Sequence, residues 1–168
     1  MLAWLQPSRP EYFRLGAFPV FNLEVDEGRW YGFPSFLIPG FKFGKYHHRG
    51  EAVDPDKVNR EPEPEDEELL RAFARRYFPD GAGSTLMLKA CLFTNSPDRH
   101  FILDRHPDHP EVAIAAGFSG HGYKFCSVVG EIMSDLAVHG STPHDISLFS
   151  LGRFRAGADG PQRPAARP

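Results

Sequence analysis

Hydrophobic and polar positions alternate in two ways along this chain. "FPVFNLEV" (18–25) is aromatic and β-branched, "DEG" (26–28) follows, and "RWYGF" (29–33) resumes the pattern. This predicts a β-hairpin with a short loop. "GFKFGKYHH" (40–48) predicts a further strand, with Phe41 and Phe43 on one face and Lys42 on the other. A polar, proline-broken stretch follows and predicts a surface loop. The pattern then changes to helical spacing. Leu69, Leu70, Phe73 and Tyr77 form one stripe. Pro64 and the acidic run Glu65–Glu68 suit the first turn of that helix, Arg75 and Arg76 its last, and Pro79 with Gly81 its end.

Three strand-like runs come next, at 84–94, 100–104 and 112–117. A second helix is expected from about Lys124 to His139, with Phe125, Val128, Val129, Ile132, Met133 and Leu136 as its apolar face and Gly140 as its stop. "DISLFSL" (145–151) predicts a last strand or an extended segment. The Pro-, Ala- and Arg-rich residues 156–168 predict a disordered tail.

Composition narrows the classes. The chain has 168 residues, 41% hydrophobic and 24% charged, as in a globular domain with a sizeable core. Fifteen phenylalanines predict a core or cleft built largely of rings. A formal charge of −3 with both signs interspersed argues against nucleic acid as a partner. No apolar run approaches the ~20 residues that span a bilayer, so no membrane association is expected. Cys91 and Cys126 form neither a disulfide framework nor a metal knuckle, which predicts a reducing, cytoplasmic setting.

The stretch "AAGFSGHGYKF" (115–125) places three glycines, His121 and Lys124 between a strand and a helix. A phosphate loop is excluded, because Tyr123 stands where the lysine must follow the second glycine and Phe125 replaces the magnesium-binding hydroxyl. "GAGSTL" (81–86) lacks the third glycine of a dinucleotide fingerprint and precedes a strand. His100, His106 and His109 sit in a proline-bearing turn and lack the rigid convergence of a zinc site, so no metal is expected. At 117–124, glycines allow close backbone approach, and the following helix start with Lys124 forms an anion-stabilising site. It suits a carboxylate or a ring that becomes negative on reduction. The plainer alternative is a tight strand-to-helix turn with a solvated lysine. Cys91, in "LMLKACLFT", is by default a buried structural cysteine, with Lys89 on the same strand face by parity. Lys42 among phenylalanines either snorkels to water or is functional.

The blocks "YGFPSF" (31–36), "FKFGKYHH" (41–48), "KACLFT" (89–94), "HFILDRHPDHPEVAIAAGFSGHGYKF" (100–125) and "HDISLFSLGRF" (144–154) resemble, in order and spacing, the C-terminal half of the monomeric sarcosine oxidase and N-methyltryptophan oxidase family. The resemblance runs from about residue 10 to 154. It implies an α+β fold, in which a mixed-sheet substrate domain of a FAD-dependent amine oxidase is joined by the closing strand and helix of a Rossmann-like FAD domain. Residues 1–111 would belong to the former and 112–155 to the latter. The family's N-terminal FAD half, with its dinucleotide fingerprint, is expected to be absent.

The implied reaction oxidises a secondary amine with O₂ to an imine and H₂O₂, the imine releasing formaldehyde on hydrolysis. The implied substrates are N-methyl or cyclic imino acids. By resemblance, Cys91 would bond covalently to the flavin if the other half is present. Gly120, His121 and Gly122 would lie against the isoalloxazine. Lys124 would pair with the substrate carboxylate, and Lys42 would assist oxygen activation. Tyr31 and His47 would line the cleft, although one extra residue at Gly44–Lys45 leaves His47 and His48 as alternatives. The isolated chain is expected to be inactive. The competing expectation is a non-catalytic or split subunit completing the FAD site of a partner chain that carries the missing half.

Overall fold

Alternation over Phe21–Val25 (β2) and Gly28–Phe33 (β3) produces the expected hairpin, antiparallel with Leu23 opposite Trp30. Gly28 opens β3 at φ +115, a conformation that favours glycine. In this computed structural model, which describes residues 1–155, three more strands join them: Leu2–Leu5 (β1), Phe41–Lys45 (β4) and Thr85–Lys89 (β5). The sheet order is β2-β3-β4-β1-β5, and every pair is antiparallel.

One face of this sheet is the core. Ala3, Leu5, Trp30, Phe41 and Phe43 are buried on it and meet Leu70, Phe73 and Ala74 of α2 (Pro64–Tyr77). Trp30 stacks on Phe73 with ring centroids 3.8 Å apart and planes 6° from parallel. Phe13, Phe18, Phe21, Phe41 and Phe78 add a ring cluster beside it, with centroid spacings from 4.9 Å (Phe13 to Phe41) to 6.2 Å (Phe21 to Phe41). Full burial of one such side chain contributes about 1.5–3 kcal/mol, and seven of the fifteen phenylalanines serve this core. Phe13 comes from a short helix, Pro10–Phe13 (α1).

The start of α2 follows from its sequence. Pro64 occupies the first turn, and Asp66 Oδ2 accepts the Glu63 N–H at 3.0 Å. At the other end Arg76 pairs with Glu27, and the Tyr77 hydroxyl donates to the same carboxylate at 2.9 Å. The helix is thereby fastened to the β2–β3 turn.

The chain divides into two compact units, Met1–Cys91 and the part from Leu92 onward. The expected division after residue 111 would separate Ile102–Arg105 (β6) from Ala113–Ala116 (β7), which pair antiparallel along their whole length. In the second unit, Phe101 and Leu103 pack with Val129, Ile132 and Leu136 of Cys126–His139 (α3). Gly140 ends α3 at φ +72, as its position predicts, and Arg105 Nη1 donates to the Gly140 carbonyl at 3.2 Å.

Two expectations are corrected. "DISLFSL" is neither strand nor extended: Asp145 Oδ1 accepts the Ser147 N–H at 3.0 Å and winds Ser147–Phe149 into a 3-10 turn. A short helix, Gly152–Arg155 (α4), follows. The run 84–94 is a strand only as far as Lys89, so Cys91 lies beyond it and is exposed rather than buried. The expected disordered tail, 156–168, lies outside the described residues. No helix among the described residues is long and apolar enough to cross a membrane.

Candidate functional site

The register of the first sheet places several of the named side chains. Across it, Phe33 is opposite Lys42, Lys42 opposite Trp4, and Tyr31 opposite Gly44. Paired residues share a face, so Tyr31, Phe33, Lys42 and Trp4 all lie on the side turned away from α2. Lys42 is half-buried there. Its Nζ is 5.0 Å from the Trp4 ring centroid and 5.1 Å from that of Phe33.

Tyr31 is half-buried beside it. Gly44 makes the room, since a Cβ on it would sit 3.0 Å from the Tyr31 hydroxyl. Burial first, then the neighbouring Cys91 and Tyr46, push the Tyr31 phenol up to about 12. Cys91, two positions past the end of β5, acts on Tyr31 through its charge and belongs to the same unit. Lys89 is opposite Leu2, and register carries it to the same face.

The two histidines separate clearly. His48 Nε2 is 2.8 Å from Asp66 Oδ1 at the start of α2. Arg49 Nη1 bridges Glu63 at 3.0 Å and Asp66 at 3.5 Å. His47 is exposed at φ +52, with its ring 6.4 Å from Tyr46, whose own ring is 5.0 Å from Tyr31. Lys42, Tyr31 and Cys91 form one group in this unit, and His47 approaches it through Tyr46.

In the second unit Gly120, His121, Gly122 and Lys124 lie between β7 and α3. Gly117 and Gly120 have φ +62 and +76, and Ser119 between them has φ +49. A Cβ on Gly120 would come 2.7 Å from the Phe93 ring, and one on Gly122 2.5 Å from Phe118, so both glycines are required for close approach. His121 donates from Nε2 to the Arg99 carbonyl at 3.2 Å, with its ring 5.0 Å from Phe101. The helix begins two positions later than expected. Tyr123–Phe125 is a 3-10 turn, and α3 proper starts at Cys126. Lys124 is exposed in that turn, its Nζ 5.4 Å from the Phe125 ring. The loop offers open backbone and a cation next to a helix N-terminus, which suits an anionic or electron-rich ligand.

Sequence reasoning missed Trp4 and Phe33 as the neighbours of Lys42, and Asp66 as the partner of His48. Only strand register exposes the first pair. A capping residue three positions after Glu63 was a usable signal for Asp66. Among the described residues no group of three His, Cys, Asp or Glu side chains is disposed to hold a metal ion.

The profile of a family described as FAD dependent oxidoreductase (DAO) matches residues 3–136. Monomeric sarcosine oxidase from Bacillus sp. (strain NS-129) is 47% identical over 155 residues, covering 91% of this chain and 40% of that protein. The enzyme of the same name from Bacillus sp. (strain B-0618) is 53% identical over 138 residues, covering 81% and 35%. The chain therefore spans about 40% of the length of the first of these relatives. Among solved structures, L-proline dehydrogenase from P. horikoshii superposes with a TM-score of 0.74 at 23% identity, over 93% of this chain and 39% of that one, a likeness of fold. The chain belongs to the DAO family of FAD-dependent oxidoreductases.

Proposed function

We propose that this chain forms the substrate-side portion of a FAD-dependent oxidase of N-methyl amino acids, sarcosine being the first substrate to test. The observation that carries the reading is the grouping of Lys42, Tyr31 and Cys91 on and beside one sheet face. The sarcosine oxidases similar to this chain supply the substrate class.

The residues suit the ring portion of the cofactor. Tyr31 and Phe33, both partly exposed, offer flat ring surface, and Cys91 offers an exposed thiol for attachment. Gly120, exposed on the side away from the Phe93 ring, offers backbone for close contact. Nothing in the 168 residues has the G-x-G-x-x-G spacing that cradles a pyrophosphate, so that cradle must come from another segment or a partner chain.

When bound, FAD would supply two-electron chemistry, for which a secondary amine would be the donor and O₂ the final acceptor, with an imine and H₂O₂ as products. The chain's own residues do the rest. Cys91 would hold the ring through a thioether, the thiol and a ring methyl together losing two protons and two electrons, which the ring would pass on to O₂. Lys124 would orient the substrate carboxylate, and Tyr31 and His47 would face the substrate. Lys42 places a fixed cation where dioxygen takes on negative charge, lowering the cost of that charge. The exposed, unpaired thiols of Cys91 and Cys126 support a reducing, cytoplasmic setting.

Two measurements test the reading. In an oxygen electrode with sarcosine, the chain alone is expected to be inactive, and appreciable turnover would refute that. The chain is then produced together with the portion of the Bacillus enzyme that it does not span, and the product is precipitated with acid. A yellow pellet that turns colourless in Cys91→Ser is expected. Colour retained by the variant would sink the thioether.

A further inference from the structure

We propose that Arg153, acting through Asp98 and Ser96, is a positioning residue that holds the Gly117–Gly122 loop in its ligand-ready conformation. The geometry stands on its own, and its functional meaning rests on the flavin reading of that loop.

The loop is strained. Three of its residues, Gly117, Ser119 and Gly120, have positive φ, and Ser119 carries a Cβ at φ +49. For an L-residue that conformation costs about 1–2 kcal/mol and persists only when the surroundings enforce it. The enforcing contacts are local and buried. Ser119 is 6% exposed, and so is Ser96. The Ser119 N–H donates to the Thr94 carbonyl at 3.0 Å, and its hydroxyl donates to the Gly117 carbonyl at 3.0 Å. The Ser119 oxygen accepts the Ser96 N–H at 3.3 Å. A second link joins the same two segments, from His121 Nε2 to the Arg99 carbonyl.

The turn that makes these links is itself strained, with Arg99 at φ +62. It has no regular structure of its own, so a strained loop leans on a strained turn. What fixes the turn is a side chain far away in sequence. Arg153 Nε donates to Asp98 Oδ2 at 2.7 Å, and Nη2 to Oδ1 at 3.1 Å, the two-point geometry that only a guanidinium provides. Nη2 also donates to the His100 carbonyl at 3.1 Å, and Nη1 to the Ser150 carbonyl at 2.9 Å. Asp98 further accepts the His100 N–H at 3.1 Å. The Ser96 hydroxyl has one proton and gives it to the His100 carbonyl at 2.6 Å, with Asp98 Oδ1 as the competing acceptor at 3.1 Å. Arg153 therefore closes the 96–100 turn at both its carboxylate and its carbonyl. The turn passes the constraint to Ser119 and His121.

Hydrogen exchange of backbone amides in the full chain tests this. In Arg153→Ala, the hydrogen-bonded amides of Ser96, Ser119 and His121 are expected to exchange about tenfold faster or more, while those of Val129, Ile132 and Leu136 in α3 stay unchanged. Millimolar guanidinium ion is expected to restore part of the protection. Asp98→Asn, which keeps the side-chain shape, is expected to act in the same direction and serves if Arg153→Ala does not fold. Unchanged loop exchange, or acceleration spread evenly over α3, overturns the proposal. The visible absorption of flavin held by the same variants, each produced together with the portion of the Bacillus enzyme that this chain does not span, separates the two ideas. Weaker absorption in the variants is expected. Loop loosening with identical flavin spectra would remove the flavin reading of the loop while the tether itself stands.

Discussion

Lys42 on β4 and Trp4 on β1 are register partners, and the ammonium lies 5.0 Å from the indole ring. Phe33, its partner on the other side, holds the ring face at 5.1 Å. The cation is thus clasped by strand pairing, with no carboxylate needed to hold it. A cation over an aromatic face contributes about 0.5–1 kcal/mol at exposed sites and more when desolvated. A double-mutant cycle of Trp4→Leu and Lys42→Met, read by urea unfolding, is expected to return a coupling of about that size. Strict additivity would mean that the ring and the ammonium are only neighbours.

The Tyr31 phenol is pushed up to about 12, by burial first and then by Cys91 and Tyr46. In the unfolded chain it ionises near pH ~10. The folded state holds the proton more tightly. The resulting stability is fully present below pH ~10 and is lost as pH rises through the folded value. Of the five tyrosines Tyr31 and Tyr77 are both raised, and in a titration of phenolate absorbance Tyr31→Phe is expected to remove the late step near pH ~12. If the late step survives in Tyr31→Phe, the crowding inferred around Tyr31 is wrong.

Sequence alone revealed what depends on near neighbours in the chain. The alternation of Phe41, Lys42 and Phe43 announced a strand with a lysine on the face away from the core, and Gly140 announced the end of α3. It failed where a local polar group competes with the pattern. Asp145 captures the Ser147 N–H and turns an apparently extended run into a 3-10 turn. It failed again at Cys91, because an apolar run does not say where pairing with β1 stops. Contacts between distant positions left no trace at all. Arg153 and Asp98 are 55 residues apart, and neither residue type points to the other.

Gly120→Ala is expected to damage the loop for two reasons. Its φ of +76 is strained for any side chain, and the added methyl would lie 2.7–2.8 Å from three atoms of the Phe93 ring. A residue forced into that conformation costs of order 1–3 kcal/mol. Phe93→Leu in the same background removes part of the clash but leaves the backbone strain. Thermal unfolding of the two single variants and the double is expected to show partial rescue. Full rescue would place the whole cost in the ring contact and none in the backbone.

Asp66 gives the pH dependence of the first unit. Burial opposes its ionisation, but the Glu63 N–H, His48 and Arg49 outweigh it and hold the carboxyl below the usual carboxylate range. A depressed folded value means that the unfolded chain binds the proton more readily. Stability from this group is therefore present above the unfolded value near ~3.9 and is lost as pH falls through the folded one. Asp66→Asn keeps the shape and removes the charge. Hydrogen bonds to a charged group are worth about 1.5–3 kcal/mol, so a loss of that order is expected in urea unfolding at neutral pH. The difference from the parent is expected to shrink steadily as the pH is lowered, because protonation removes the same charge from the parent. A gap that stays constant down to strong acid would show that the carboxylate charge is not what anchors His48 to the start of α2.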